Sequence, residues 1–151
     1  MTLQTNRRNL MRGTAWAVPV ITVASAAPAF ATSSVDPITG LAEAIKCPGK
    51  STDYENSVVV AFNTRSQDDA EALAALSLGA WTITVNGEIW DVKRTTRLGT
   101  TIYAVTVPRG NSANGVGTLV VTYTLGNPPQ EFVGSFAFTG THPDHDICGR
   151  V

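Results

Sequence analysis

AWTITVNGEIWDVK, residues 80–93, holds two short runs of alternating character joined by Asn86-Gly87. That dipeptide is the strongest short hairpin signal, because a two-residue loop needs positive φ at both central positions and asparagine and glycine tolerate it best. A two-residue turn fixes the register: Val85 faces Glu88, Thr84 faces Ile89, Ile83 faces Trp90, Thr82 faces Asp91 and Trp81 faces Val92. One face then gathers Trp81, Ile83, Val85, Trp90 and Val92, and the other Thr82, Thr84, Ile89 and Asp91. The register set by the turn agrees with the alternation of apolar residues, two independent signals pointing to one strand pair.

Upstream, Ser57 to Thr64 also alternates, with Val58, Val60 and Phe62 on one side and Ser57, Val59, Ala61 and Asn63 on the other. SQDDAEALAALSLG, from Ser66, changes period. Ser66 can cap a helix, Asp68 and Asp69 place negative charge in its first turn, Ala70, Leu73 and Leu76 form one face, and Gly79 supplies a stop. Downstream, KRTTRLG (93–99) reads as a basic, threonine-rich connection into a strand from Thr101 to Val107. The turn-rich loop PRGNSANGVG leads to Thr118–Leu125, which sets Leu119, Val121, Tyr123 and Leu125 against Val120, Thr122 and Thr124. GNPPQ connects it to Glu131–Thr139, which carries Phe132, Phe136 and Phe138 on one side. TSSVDPITGLAEAIK (32–46) reads as a loose leader with a single turn at Leu41–Ile45, and Cys-Pro-Gly at 47–49 as a turn. Six or seven short strands with turn signals about every ten residues predict an all-β sandwich with one short helix.

TNRRNLMRGTAWAVPVITVASAAPAFATSS, residues 5–34, decides the compartment. A basic start, an apolar run and the small residues Ala29-Phe30-Ala31 give a secretory signal over 1–31, cleaved to leave Thr32 at the N-terminus. A membrane span needs about 20 apolar residues. This run is shorter, carries Thr14, Thr22 and Ser25, and is interrupted by Pro19, so the mature form is expected to hold no stable span. Arg7-Arg8, followed by Leu10, Met11 and Arg12, resembles a twin-arginine export signal, with Thr5 one place further out than usual. The resemblance implies handling by the Tat export machinery and a domain that folds before it crosses, with any disulfide forming afterwards.

NRRNLMRGTAWAVPV, AAPAFA, Asn63-Thr64, the VNG at 85–87, the GTLVVTYT run and the late Cys148 together resemble a family of short exported proteins of high-GC Gram-positive bacteria. In that family an arginine-pair leader precedes one immunoglobulin-like domain. The resemblance implies a leader or linker over 32–50 and an immunoglobulin-like β-sandwich of about seven strands over 51–151. It implies no activity. The central-strand bridge around a buried tryptophan that marks true immunoglobulin domains is absent from the pattern, since Cys47 and Cys148 lie near the two ends.

Without the leader, Lys plus Arg falls from 11 to 8 against 12 Asp plus Glu, a net charge of about −4. A mildly acidic chain without a basic cluster argues against nucleic acid and anionic lipid as partners. In an oxidising exterior Cys47 and Cys148 have only each other to pair with; a free reactive thiol at Cys148, with His145 nearby in sequence, is the alternative. The metal-type side chains gather in THPDHDIC: His142, Asp144, His145, Asp146 and Cys148. They match no closed four-ligand spacing, and a polar tail held by the disulfide accounts for them. The mature chain keeps no methionine, which removes the usual axial ligand of a blue-copper site. There is no G-x-S-x-G elbow, and Asp68-Asp69 and Asp144/Asp146 sit in polar local contexts that do not support a glycosidase-type carboxylate pair. Trp81 and Trp90 fall on the apolar face of the hairpin, where core packing rather than sugar stacking is expected. Outward Thr82, Thr84, Thr122 and Thr124 could form a flat polar array of the sort that meets a repetitive surface, but the expected reading is the ordinary one, that β-branched polar residues on a solvent face are good strand formers.

No catalytic, cofactor-binding or metal-binding residue is therefore assigned, and no cofactor. The sequence supports a secreted or envelope-associated binding or structural module, with an extracellular or cell-envelope protein or glycan as partner. A secreted enzyme or enzyme inhibitor is the rival reading, and surface metal binding through the histidine tail a third. Two outcomes are expected on export: protein recovered from the medium begins at Thr32, and replacing Arg7 and Arg8 by Lys retains the precursor in the cell. N-terminal sequencing of both fractions checks this, and an intact Met1 start in the medium would overturn it.

Overall fold

The structure, a computed structural model, describes residues 35–49, 51–110 and 115–151. Arg7 and Arg8, expected to direct export, and Ala29 and Ala31, expected to mark the cleavage point, lie outside the described residues. From Val35 to Val151 the chain forms one compact unit. It contains β1 (Ile38–Lys46), β2 (Val58–Thr64), α1 (Gln67–Ala74), β3 (Trp81–Val85), β4 (Glu88–Leu98), β5 (Thr101–Pro108), β6 (Gly117–Leu125), β7 (Gln130–Phe138), β8 (His142–Pro143) and α2 (His145–Cys148). The eight strands lie in one sheet of order β7-β6-β3-β4-β5-β2-β1-β8. Every pairing is antiparallel except the short β1–β8 contact. The all-β class is as expected, but the strands foreseen in two facing sheets share one continuous ladder.

The hairpin forms around Asn86 (φ 52°) and Gly87 (φ 81°), with Val85 opposite Glu88, Thr84 opposite Ile89 and Ile83 opposite Trp90. Trp81, Ile83, Val85 and Trp90 are buried on its inner side. The next two expected rungs are not made, because β4 leaves β3 there and takes up β5: Trp90 faces Pro108, Asp91 faces Val107 and Val92 faces Thr106. KRTTRLG is therefore no connection. It continues β4, past a bulge between Val92 and Arg94, as far as Leu98 opposite Thr101. Its polarity suggests a loop, yet threonine is a good strand former wherever one side of the strand meets solvent. A bulge adds twist and bends its strand, so β4 is where the sheet turns over on itself.

The expected loose leader at 32–46 is also corrected. Ile38–Lys46 is a strand paired along β2, with Ile38, Ala44 and Ile45 buried. Register shifts between Ile38 and Gly40 and between Leu41 and Glu43 break the two-residue period, which hides the strand from a periodicity reading. α1 starts as expected, with Ser66 Oγ accepting from Asp69 N at 3.1 Å and Ala70 and Leu73 buried. It stops at Ala75, short of Gly79, and Leu78–Ala80 forms a separate 3₁₀ turn.

Curling brings distant strands together inside. Phe62 of β2 meets Phe136 of β7 with ring centroids 6.1 Å apart, and Trp90 packs edge-on to Phe138 at 5.6 Å. Tyr123 stacks on Phe132 and lies against Trp81. Its hydroxyl donates to Asp36 Oδ1, which also accepts from Ile38 N, so β6 holds the entry to β1. Burial above all, then the hydrogen bond to Asp36, pushes the Tyr123 phenol well above the ordinary tyrosine value.

A raised phenol pKa stabilises the fold wherever the unfolded chain would keep its proton, and that contribution is lost as only the unfolded chain ionises. Stability linked to Tyr123 is thus complete below pH 10.0, the ordinary phenol value, and declines as pH rises beyond it. Tyr123→Phe should cost about 2 kcal/mol at neutral pH, the worth of a hydrogen bond to a charged acceptor, and should blunt the alkaline decline. Urea unfolding of both proteins from pH 7 to 11 measures this; equal alkaline slopes would rule out the linkage.

Candidate functional site

The outer side of β2 and β5 is not left to solvent. Val59, Ala61, Tyr103 and Val105 form a second apolar cluster with Ile45, Cys47, Cys148 and Val151, and Ile147 packs against it. The tail supplies that cover in three steps. β8 lies beside β1, with His142 opposite Ile45 and Pro143 opposite Lys46. Asp144 then caps α2, accepting from Asp146 N at 2.9 Å and Ile147 N at 3.3 Å. Cys148, at the end of α2, is bridged to Cys47 with Cα atoms 5.7 Å apart across 101 positions of sequence. The expected disulfide is present, which removes the free-thiol alternative. Arg94 Nη2 donates to the main-chain oxygen of Val151, and its guanidinium also stands 3.8 Å from Asp53.

The side chains grouped as THPDHDIC are distributed by this folding. His142 Nε2 lies 3.4 Å from Glu43 Oε2, Asp144 is engaged in capping, His145 and Asp146 point into solvent from α2, and Cys148 is in the bridge. Among the described residues no three His, Cys, Asp or Glu side chains are grouped so as to hold a metal ion. Asp68 and Asp69 sit in the first turn of α1, where Asp69 pairs with Arg65 at 3.2 Å. That is the electrostatic position a helix N-terminus favours for carboxylates.

The outer face of β3, β4, β6 and β7 is different. Thr82 and Thr122 stand opposite each other, and Val133 is opposite Thr122. The neighbouring row runs Ile89, Thr84, Val120, Ser135 across all four strands. Val133 is 60% and Ile89 41% exposed. No charged side chain interrupts those two rows. Charge begins at the margins, with Glu131 opposite Thr124 and with Asp91 on β4. Arg109 Nη2 meets Asp91 at 2.8 Å, and that hydrogen bond, helped by the charges of Arg109 and Lys93, holds the Asp91 carboxyl below the usual carboxylate range. Where β4 parts from β3, a groove of about 570 Å³ opens between Leu78, Thr82, Ile89, Asp91 and Arg109.

Alternation places the four threonines outward, and Thr82, Thr84, Thr122 and Thr124 do stand on this face. Ile89 and Val120 share it, as their alternation with those threonines implies, and strand order adds Val133 and joins the four strands into one surface. Trp81 and Trp90 take no part in it: both are in the core, and neither ring N–H has a hydrogen-bond partner among the described residues. Among the described residues no helix is long and apolar enough to cross a membrane. No family model matches the chain, and neither a curated protein nor a solved structure does.

Replacing Cys47 and Cys148 together by Ala should lower unfolding free energy by about 2–5 kcal/mol, through the long loop the bridge closes. It should also loosen the tail cover, so that amides of Val59 and Val105 exchange faster than those of Ile83 and Val121. Hydrogen exchange followed by NMR reads both sets: the global loss accelerates both, the loosened cover adds a further factor at Val59 and Val105, and an equal factor at all four would contradict a local role of the cover.

Proposed function

We propose that the protein is an exported, envelope-associated binding module of immunoglobulin-like sandwich architecture, and that it contacts a neutral glycan through the open face of β3, β4, β6 and β7. Support for the architecture comes from strand order. Divided at β4, the sheet gives β1-β2-β5-β4 and β4-β3-β6-β7, the order in which immunoglobulin-like domains arrange their two sheets. A bulged strand that passes from one layer to the other is a known way of making the corner. Export is supported by the leader pattern and by the disulfide, which persists in oxidising compartments.

The observation that carries the binding reading is the contrast between the two outer faces. One is covered by β8, α2 and the bridge; the other presents exposed valine and isoleucine among threonines with no charge in its central rows. Magnitude selects the partner. Four strands about 4.8 Å apart, each offering two or three outward residues about 6.8 Å apart, make a patch of roughly 300 Å². A stable protein complex needs roughly 800 Å² from each partner. A narrow, repeating polymer fits a small patch better, since many weak contacts along it raise the overall avidity. Threonine hydroxyls can pair with sugar hydroxyls while Val120, Val133 and Ile89 meet the apolar faces of the rings, and an uncharged surface suits an uncharged ligand.

Binding of the mature chain to washed cell envelopes should survive protease treatment of those envelopes. It should fall at least about ten-fold, a loss of ~1.4 kcal/mol, when Thr122→Lys and Val133→Glu place charges on the face, while Glu55→Lys, away from it, changes nothing. Loss of binding after protease would point to a protein partner, and unchanged binding by the charged variants would remove the face from the account.

A further inference from the structure

Asn86 is tied to the start of β6 by three hydrogen bonds. Its main-chain N donates to Thr118 O at 2.9 Å, its Oδ1 accepts from Thr118 N at 3.0 Å, and its Nδ2 donates to Val116 O at 3.2 Å. Neither side-chain atom can be exchanged for the other, since an amide N–H only donates and a carbonyl only accepts. The seat depends on Gly117: a Cβ there would lie 1.8 Å from Asn86 Oδ1. Turn geometry alone does not demand this arrangement, because the left-handed conformation at position 86 is open to aspartate and glycine as well. Only asparagine also offers both a donor and an acceptor to the facing strand.

The same dipeptide is chemically labile. In an Asn-Gly pair the unhindered glycine nitrogen attacks the asparagine Cγ, closing a five-membered imide and expelling ammonia. Water then opens the ring to an aspartyl or isoaspartyl residue. We infer that Asn86 is a latent modification site of this chain, protected in the native state by its clip to Val116 and Thr118 and deamidated when the hairpin tip opens.

The attack requires the Asn86 carboxamide to swing over Gly87 N, which breaks both side-chain bonds. The reaction therefore proceeds from the opened tip alone, and an opening free energy of only ~1.4 kcal/mol slows it about ten-fold. The product cannot rebuild the clip. A carboxylate has no donor for Val116 O, and an isoaspartyl link adds a backbone atom to a two-residue turn. Each opening that ends in reaction is thus recorded permanently at position 86, beside the open face of β3, β4 and β6.

The test compares mature protein aged in mildly alkaline buffer with the same protein aged in denaturant, by peptide mapping that separates asparagine, aspartate and isoaspartate at position 86. Asn114-Gly115, the other Asn-Gly pair in the sequence, calibrates the chemistry in the denatured sample. Conversion at Asn86 should be at least about ten-fold slower in the native protein. Gly117→Ala, which removes the seat, should bring the native rate towards the denatured one. If that variant does not fold, the native-against-denatured comparison of the unaltered chain stands by itself. Equal rates at Asn86 in the two states would overturn the inference.

Discussion

From Val58 to Phe62, β2 has no side that faces water. Val58, Val59, Val60, Ala61 and Phe62 are all fully buried, so the strand needs an apolar layer on each face. Full burial of a valine or phenylalanine is worth about 1.5–3 kcal/mol; opening the inner face would forfeit three such contributions, from Val58, Val60 and Phe62, and opening the outer face one, from Val59, with a smaller share from Ala61. The two layers are built by different means. The inner one comes from the curl of the sheet, which lays β6 and β7 over β2. The outer one comes from the last residues of the chain, fixed in place by the bridge between Cys47 and Cys148.

The curl depends on β4. It pairs with β3 only as far as Trp90 and with β5 from there onwards, with a bulge two residues later. Trp90 belongs to both ladders and is almost completely buried, which places the change of partner against the aromatic core. Parting from β3 also leaves the groove beside Asp91 and keeps β3, β6, β7 and the first part of β4 together as one layer with its own outer surface. The uncharged face is thus a consequence of the same departure that closes the core.

Much of this was legible in the residues. The first three rungs of the hairpin, the Ser66 cap, the pairing of the two cysteines and the inward set of the three C-terminal phenylalanines follow from turn chemistry, capping and simple alternation. Four features were not legible. β1 carries two register shifts that erase its period. The second half of β4 is too polar to resemble a strand until its partner is known. The run VVVAF permits one buried face or two, and the choice lies with residues almost 90 positions later. The open face was visible strand by strand, as threonines with Ile89 and Val120, but not as one four-stranded surface, because only strand order joins those strands and adds Val133.

The two outer faces are unequal, one covered by the tail and one open, and the proposed function puts the ligand on the open one. NMR titration of the labelled mature protein with neutral envelope polysaccharide tests this most directly. Shifts are predicted at Thr82, Thr84, Ile89, Val120, Thr122 and Val133, with the amides of Val59, Val105 and Cys148 unmoved. Shifts centred on the covered side around Cys148, or none anywhere at saturating polysaccharide, would contradict it.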